Sequence, residues 1–273
     1  MQSNNPVFAR SDTFNGRAAY AAPATGYSDP STWSTGTASH GAPTDYDDRR
    51  ITIDSVVQKS AITLAVLVAT AAATWIYLGD VNPDNIATFG GLALAGAGIA
   101  FVLSMVNSFK RVISPPLVLA FAAAEGVFIG AFSSLLEQRF DGIVMSAVAG
   151  TLAAFAGTLA AYKILDIKVS DKFRRGVVAA MFGMVGVMLL NLLLGAFGVS
   201  FLNLHQGLTG LLFSGLGVVL AVLMLILDFD FIEKAIAAGA PERESWRAAF
   251  GLTVTIVWLY IELLRILAIL RGD

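Results

Sequence analysis

Five ionisable side chains lie inside, or at the end of, strongly apolar stretches of this 273-residue sequence. They are Glu125, Asp228, Asp230, Glu262 and Arg265. If these stretches cross a membrane, a charge at mid-membrane costs on the order of 3 kcal/mol unless it has a partner or a water-lined cavity. These five residues are therefore the candidates for an ion pathway or a proton-sensing site.

Asp228 and Asp230 share the segment Leu-Asp-Phe-Asp-Phe at residues 227–231. Successive residues of a helix are rotated by about 100° about its axis. The two aspartates, two positions apart, therefore point about 200° apart and cannot both face one pore. We expect one aspartate inside a helix bundle and the other at its flank, with Asp228 the deeper of the two. A plainer interpretation is that both lie among lipid headgroups and mark the end of a span.

Glu262 lies well inside the last apolar stretch, and Arg265 follows three residues later. This spacing permits an ion pair within one helix, which would lower the cost of burying both charges. Neutralising each other could be the whole role of these two residues. Glu125 is about half-way through its stretch and has no counter-charge nearby in sequence. We expect it to keep its proton or to meet a cation from another helix.

Carboxylates from different helices around one cavity would make a proton-sensitive cation site. Ionised carboxylates repel each other but can ligate a hard cation such as Ca²⁺. Asp228 and Glu262 are the ligands we would assign, with Asp230 and Glu125 as further sensors and Arg265 as a counter-charge. Asp228 and Glu262 meet only if the sixth span extends past Ile232 or the seventh begins later than the apolar pattern suggests.

The composition requires a membrane protein. Apolar residues make up 56% of the chain and charged residues 14%, against roughly 25% charged in ordinary soluble domains. About 20 apolar residues span a bilayer as a helix, and seven such stretches are present. They run over residues 60–78, 86–107, 115–136, 142–162, 176–199, 207–227 and 248–270, with charged or turn-forming loops such as 79–85 and 170–175 between them. The predicted fold is an all-α bundle of seven transmembrane helices.

Residues 1–55 have a different composition, rich in Ser, Thr, Gly, Ala, Pro and Asp. Such a segment buries too little apolar surface to offset its ordering entropy, so we predict a disordered tail ahead of a transmembrane domain at 56–273. It lacks the basic start and apolar stretch of a signal peptide. Dense small residues in the spans, such as Gly126 and Gly130, predict close helix packing, most simply in a monomeric bundle.

The distribution of Lys and Arg predicts the orientation, because cytoplasmic loops retain positive charge. One side of a seven-span arrangement carries Arg49, Arg50, Lys59, Lys110, Arg111, Lys163, Lys168, Lys172, Arg174, Arg175, Lys234, Arg243 and Arg247. The other side carries Arg139 and Arg271. We therefore expect a cytoplasmic N-terminus and an external C-terminus.

Seven spans, the Leu227–Asp230 segment and the segment Leu259-Tyr260-Ile261-Glu262 together resemble the transmembrane Bax inhibitor motif family. The resemblance covers about Val56 to the C-terminus and leaves the tail outside. It implies a pH-sensitive Ca²⁺ leak protein of the bacterial inner membrane.

In that family an aspartate near the end of span six faces another in span seven, and an arginine from an earlier helix latches the pair. The resemblance assigns the first position to Asp228 and the second to Glu262, with glutamate in place of aspartate. No Lys or Arg lies within span two, where the latch is expected. Glu125 and Arg265 are the substitutes that we consider.

Other functions use the same residues. A proton-coupled secondary transporter would employ buried carboxylates as carriers, and a membrane protein that regulates partner proteins needs no pathway at all. We expect no enzyme, because Asp228 and Asp230 lack separate-helix pairing and the two histidines, His40 and His205, do not follow Ser214 in a later span. No cofactor motif and no excess positive charge for nucleic acid is present, and lipid, Ca²⁺ and protons are the expected partners.

Overall fold

The computed structural model describes residues 49–80, 82, 84–198 and 207–272. The predicted disordered tail lies outside the described residues except for its last few positions. Within the described part the chain forms seven α-helices: α1 (Ile53–Leu78), α2 (Ile86–Phe109), α3 (Pro115–Arg139), α4 (Ile143–Ile164), α5 (Asp171–Ala196), α6 (Gly207–Ala237) and α7 (Glu244–Gly272). All seven are long and apolar enough to cross a membrane, which confirms the predicted fold class.

Several helices extend beyond the predicted spans. α6 continues to Ala237 instead of ending at Leu227, and α7 begins at Glu244 instead of Ala248. The predicted charged loop at 170–175 was wrong, because α5 begins at Asp171. Ser170 caps this helix by accepting a hydrogen bond from the Phe173 backbone N–H, and Asp171 in the first turn complements the helix dipole. Hydropathy marks the apolar part of a helix and not its polar ends.

α7 lies at the centre of the bundle and packs against α1, α3, α4 and α6. Half of the most apolar 18-residue segment of α7 is buried inside the protein, whereas only 11% of the corresponding segment of α5 is buried. Among the described helices, α5 contacts chiefly α6. Side chains presented by α7 therefore meet other helices, and those on α5 mostly face outward. This central position makes α7 the helix best placed to carry a site.

Glycine brings α3 against α1, as the small-residue pattern predicted. A Cβ atom on Gly126 would overlap the Thr70 side chain, and one on Gly130 would overlap the Ala71 backbone. On α2 the outcome is mixed, because Gly96 packs against the Phe128 backbone of α3, whereas Gly90 and Gly98 have open space where a Cβ would be. The same residue type thus serves close packing at some positions and an outward face at others.

Candidate functional site in the interface of helices six and seven

Asp228 of α6 points at α7. Its Oδ2 atom accepts a hydrogen bond of 2.7 Å from the Thr255 hydroxyl, which also lies 3.1 Å from the Gly251 carbonyl oxygen. Gly251 lies beside this carboxylate, since a Cβ there would be in ordinary contact with Asp228 Oδ1 at 3.5 Å. A carboxylate is thus held between two membrane-spanning helices by a neutral hydroxyl and has no ion pair among the described residues.

Glu262 of α7 is the most deeply buried acid of the five candidates, with 1% of its surface exposed. Arg265 donates to its two carboxylate oxygens at 3.2 and 3.4 Å, so the predicted ion pair within one helix is present. The carboxylate reaches α6 at Gly217, where a Cβ would come within 2.7 Å of Glu262 Cδ. The Ser214 hydroxyl on α6 is fully buried beside this carboxylate without reaching hydrogen-bond geometry.

Asp230 has a different environment from Asp228. Its Oδ2 atom accepts from Arg174 of α5 at 2.6 Å and from Lys234 at 2.8 Å, and 5% of the residue is exposed. The two aspartates face different helices, α7 and α5, as the rotation of about 200° predicted. Asp230 is nevertheless the more completely buried of the two, and its charge is balanced by two cations.

Glu125 lies on α3, outside the α6–α7 interface. Phe121, one turn earlier, packs edge-on against Phe250 of α7 at 5.0 Å, and Ser133, two turns later, is hydrogen-bonded to Tyr260 at 2.7 Å. Glu125 is therefore on the side of α3 that faces α7. Among the described residues it makes no hydrogen bond and no ion pair.

A buried polar cluster fixes the start of α1 to the start of α7. Lys59 donates to Glu242 Oε1 at 2.9 Å, and the Ser55 and Ser245 hydroxyls lie 2.7 Å apart. Each of these four residues is at most 8% exposed. The sequence pattern did not predict this cluster, which we call the α1–α7 clamp. The available signal was the i, i+4 spacing that puts Ser55 and Lys59 on one helical face, but nothing in the sequence named their partners.

The family model described as Bax inhibitor 1 like matches residues 5–272. The chain belongs to the Bax inhibitor 1 like family. No curated protein matches it. Because the family match begins at residue 5, it includes most of residues 1–55, which lay outside the resemblance seen in the sequence.

As a Bax inhibitor 1 like protein, the chain was expected to bring Asp228 and Glu262 face to face. The structure brings Asp228 to Thr255 instead, and Glu262 lies seven residues further along α7, a rise of about 10 Å. Gly251 beside Asp228 and Gly217 beside Glu262 fix this antiparallel register. The two acids thus occupy successive levels of one interface.

The arginine that reaches an α6 aspartate from an earlier helix in this Bax inhibitor 1 like chain is Arg174, and its target is Asp230. Arg265 pairs with Glu262 on its own helix, and Glu125 faces α7 from another side. Neither of the proposed latch substitutes contacts Asp228 through a hydrogen bond or ion pair in the described part of the chain. Arg174 of α5 therefore forms an ion pair with the neighbouring aspartate, Asp230, and not with Asp228.

Two apolar side chains separate the acid levels. Leu225 of α6 and Leu259 of α7 are both fully buried and belong to one core cluster together with Ala221. In this conformation the α6–α7 interface is closed between Asp228 and Glu262. No group of three or more acidic or histidine side chains in the described residues is close enough to hold a metal ion, and Ca²⁺ takes 6–8 oxygen ligands.

Proposed function

We propose that this protein lets cations, Ca²⁺ first among the candidates, leak across a membrane along the α6–α7 interface under the control of Asp228 and Glu262. The observation that carries the proposal is the position of two carboxylates at successive levels of one membrane-spanning interface. Membership of the Bax inhibitor 1 like family and the seven apolar helices support it.

Two acid levels suit a permeating cation better than a resident one. A permeation site must bind an ion strongly enough for it to enter and weakly enough for it to leave, which successive single carboxylates achieve. The Thr255 hydroxyl and the Ser214 hydroxyl would add neutral oxygens at the two levels. Conduction then requires Leu225 and Leu259 to separate, so that opening is a relative movement of α6 and α7.

Protonation provides the control. A protonated carboxyl group does not attract a cation, whereas an ionised one does, so the charge at the two levels varies with pH. We place the Asp228 level nearer the cytoplasm and the Glu262 level nearer the outside of a bacterial inner membrane. This orientation rests on the predicted excess of Lys and Arg on the cytoplasmic side.

A flux assay tests the proposal. Purified protein in liposomes that enclose a Ca²⁺ indicator should give Ca²⁺ entry that depends on pH, and Asp228→Asn and Glu262→Gln should each change the flux or flatten its pH profile. Asp54→Asn is the matched control, because Asp54 is an exposed acid in the first turn of α1. Wild-type behaviour in both test variants would reject control by these carboxylates. Transport of organic solutes with proton exchange would establish a transporter instead.

A further inference from the structure

A large apolar groove opens sideways between α1 and α4. It has a volume of about 620 Å³, within the 300–1,000 Å³ of small-molecule sites. Val68, Ala72 and Ile76 form the α1 wall, and Val148 and Leu152 form the α4 wall. These five residues are exposed in the protein alone, so the groove is open to the surrounding medium.

The packing of α1 explains why the groove is open. Gly126 and Gly130 hold α1 tightly against α3, while α4 packs against α7, with Gly150 close to the Leu263 side chain. α3 and α7 form the floor of the gap that remains between α1 and α4. It extends along α1 from Ser60 to Ile76, a rise of about 24 Å, which exceeds the roughly 15 Å depth of one hydrocarbon leaflet.

The chemistry of the lining excludes a charged ligand. None of the described residues that line the groove carries a charge. The polar groups at its floor include the hydroxyls of Ser133 and Tyr260, which are already hydrogen-bonded to each other at 2.7 Å. A ligand here gains from apolar contact along its length and needs to supply no hydrogen bond.

We propose that the groove binds one acyl chain of a membrane phospholipid. The groove lies on helices that cross the bilayer, and its rim is continuous with the outward apolar surface that contacts lipid, formed by residues such as Ile62 and Met145. A long, narrow and uncharged groove fits an extended hydrocarbon chain. The groove is separate from the α6–α7 interface, since α6 contributes none of the described lining residues.

Photolabelling in vesicles tests the proposal. The full chain is reconstituted in phosphatidylcholine vesicles that contain a phosphatidylcholine with a diazirine in the middle of one acyl chain. After irradiation, mass spectrometry should find the label concentrated on the peptides that carry Ala72 and Val148. Val148→Trp fills the groove from α4 and should reduce labelling of these peptides about tenfold, which corresponds to about 1.4 kcal/mol of binding free energy.

Val102→Trp is the matched control, because Val102 is an outward-facing residue of α2 that does not line the groove. It should leave the labelling unchanged. Ala72→Phe fills the groove from the opposite wall and serves if Val148→Trp does not reach the membrane folded. Equal labelling of all outward helix faces, or labelling that neither groove variant reduces, would overturn the proposal. So would Ala72→Cys protein that forms disulfide-linked dimers in place of lipid adducts, because a second copy would then occupy the groove.

Discussion

Lys59 of α1 donates a hydrogen bond of 2.9 Å to Glu242, the residue two positions before α7, and both are almost completely buried. The Trp246 ring centre lies 5.9 Å from the Lys59 ammonium group, which adds a cation–π contact. α7 also carries Thr255 and Glu262. The α1–α7 clamp therefore fixes the position of the helix that supplies half of the candidate site.

Removing one partner of this ion pair should be strongly destabilising. Lys59→Met leaves the Glu242 carboxylate buried without its ammonium partner, and Arg49 at 4.0 Å is too distant to replace the hydrogen bond. We expect the free energy of unfolding in detergent to fall by about 3–5 kcal/mol. Lys168→Met, at an exposed pair, is the control and should change it by less than about 1 kcal/mol.

The double variant Lys59→Met with Glu242→Leu distinguishes a buried pair from simple loss of packing. Replacing both charges by apolar side chains removes the unpaired carboxylate, so much of the lost stability should return. If the double variant instead lost the sum of the stabilities lost in the two single variants, this account of the clamp would be wrong.

Removing the hydrogen bond from Thr255 to Asp228 should alter the pH dependence of ion flux. Thr255→Val keeps the shape of the side chain but removes the donor to Asp228, whereas Thr255→Ser keeps it. We expect the valine variant to change the pH profile of Ca²⁺ flux in liposomes and the serine variant to follow wild type. Identical profiles for valine and wild type would show that Thr255 does not orient Asp228.

A side chain at Gly217 should displace the Glu262 carboxylate and the Met184 methyl group. A Cβ atom in Gly217→Ala would come within 2.7 Å of Glu262 Cδ and 2.8 Å of the Met184 methyl group. Both groups end flexible side chains, so the loss should lie at the lower end of the about 1–3 kcal/mol that overpacking costs, measurable as a lower midpoint of unfolding. Adding Glu262→Asp shortens the acid by one methylene and should recover part of the loss, and a Gly217→Ala variant as stable as wild type would argue against this contact.

The glycines of α3 and α2 offer a paired test of the packing. Gly130→Ala places a Cβ against the Ala71 backbone and should destabilise the bundle by about 1–3 kcal/mol. Gly98→Ala points into open space and should be neutral or slightly stabilising, since alanine favours a helix over glycine. Equal shifts of the unfolding midpoint in the two variants would contradict this account of the packing.

The helices themselves were predictable because a membrane span is encoded locally. About 20 consecutive apolar residues suffice, so all seven helices could be located without knowing any neighbour. Helix ends were less predictable. The polar first turn of α5 depends on the Ser170 cap, and the polar last turns of α6 carry Asp230 and Lys234, all of which hydropathy excludes from a span.

The register between helices could not be read from the sequence. Which α7 residue faces Asp228 follows from how α6 packs on α7, with Gly251 beside Asp228 and Gly217 beside Glu262. The partners in long-range ion pairs could not be read from the sequence either. Lys59 and Glu242 are separated by 183 residues, and Arg174 and Asp230 by 56, so only the folded bundle identifies each pair.

The orientation in the membrane can be tested directly because the chain contains no cysteine. Asp84 follows α1 and Lys110 follows α2, so they lie on opposite sides of the bilayer, and both are exposed. With a cytoplasmic N-terminus, a membrane-impermeant maleimide should label Asp84→Cys in intact cells and Lys110→Cys only after permeabilisation. The cysteine-free parent measures background labelling. The reverse pattern would place Asp228 toward the outside and invert the order in which a cation meets the two acids.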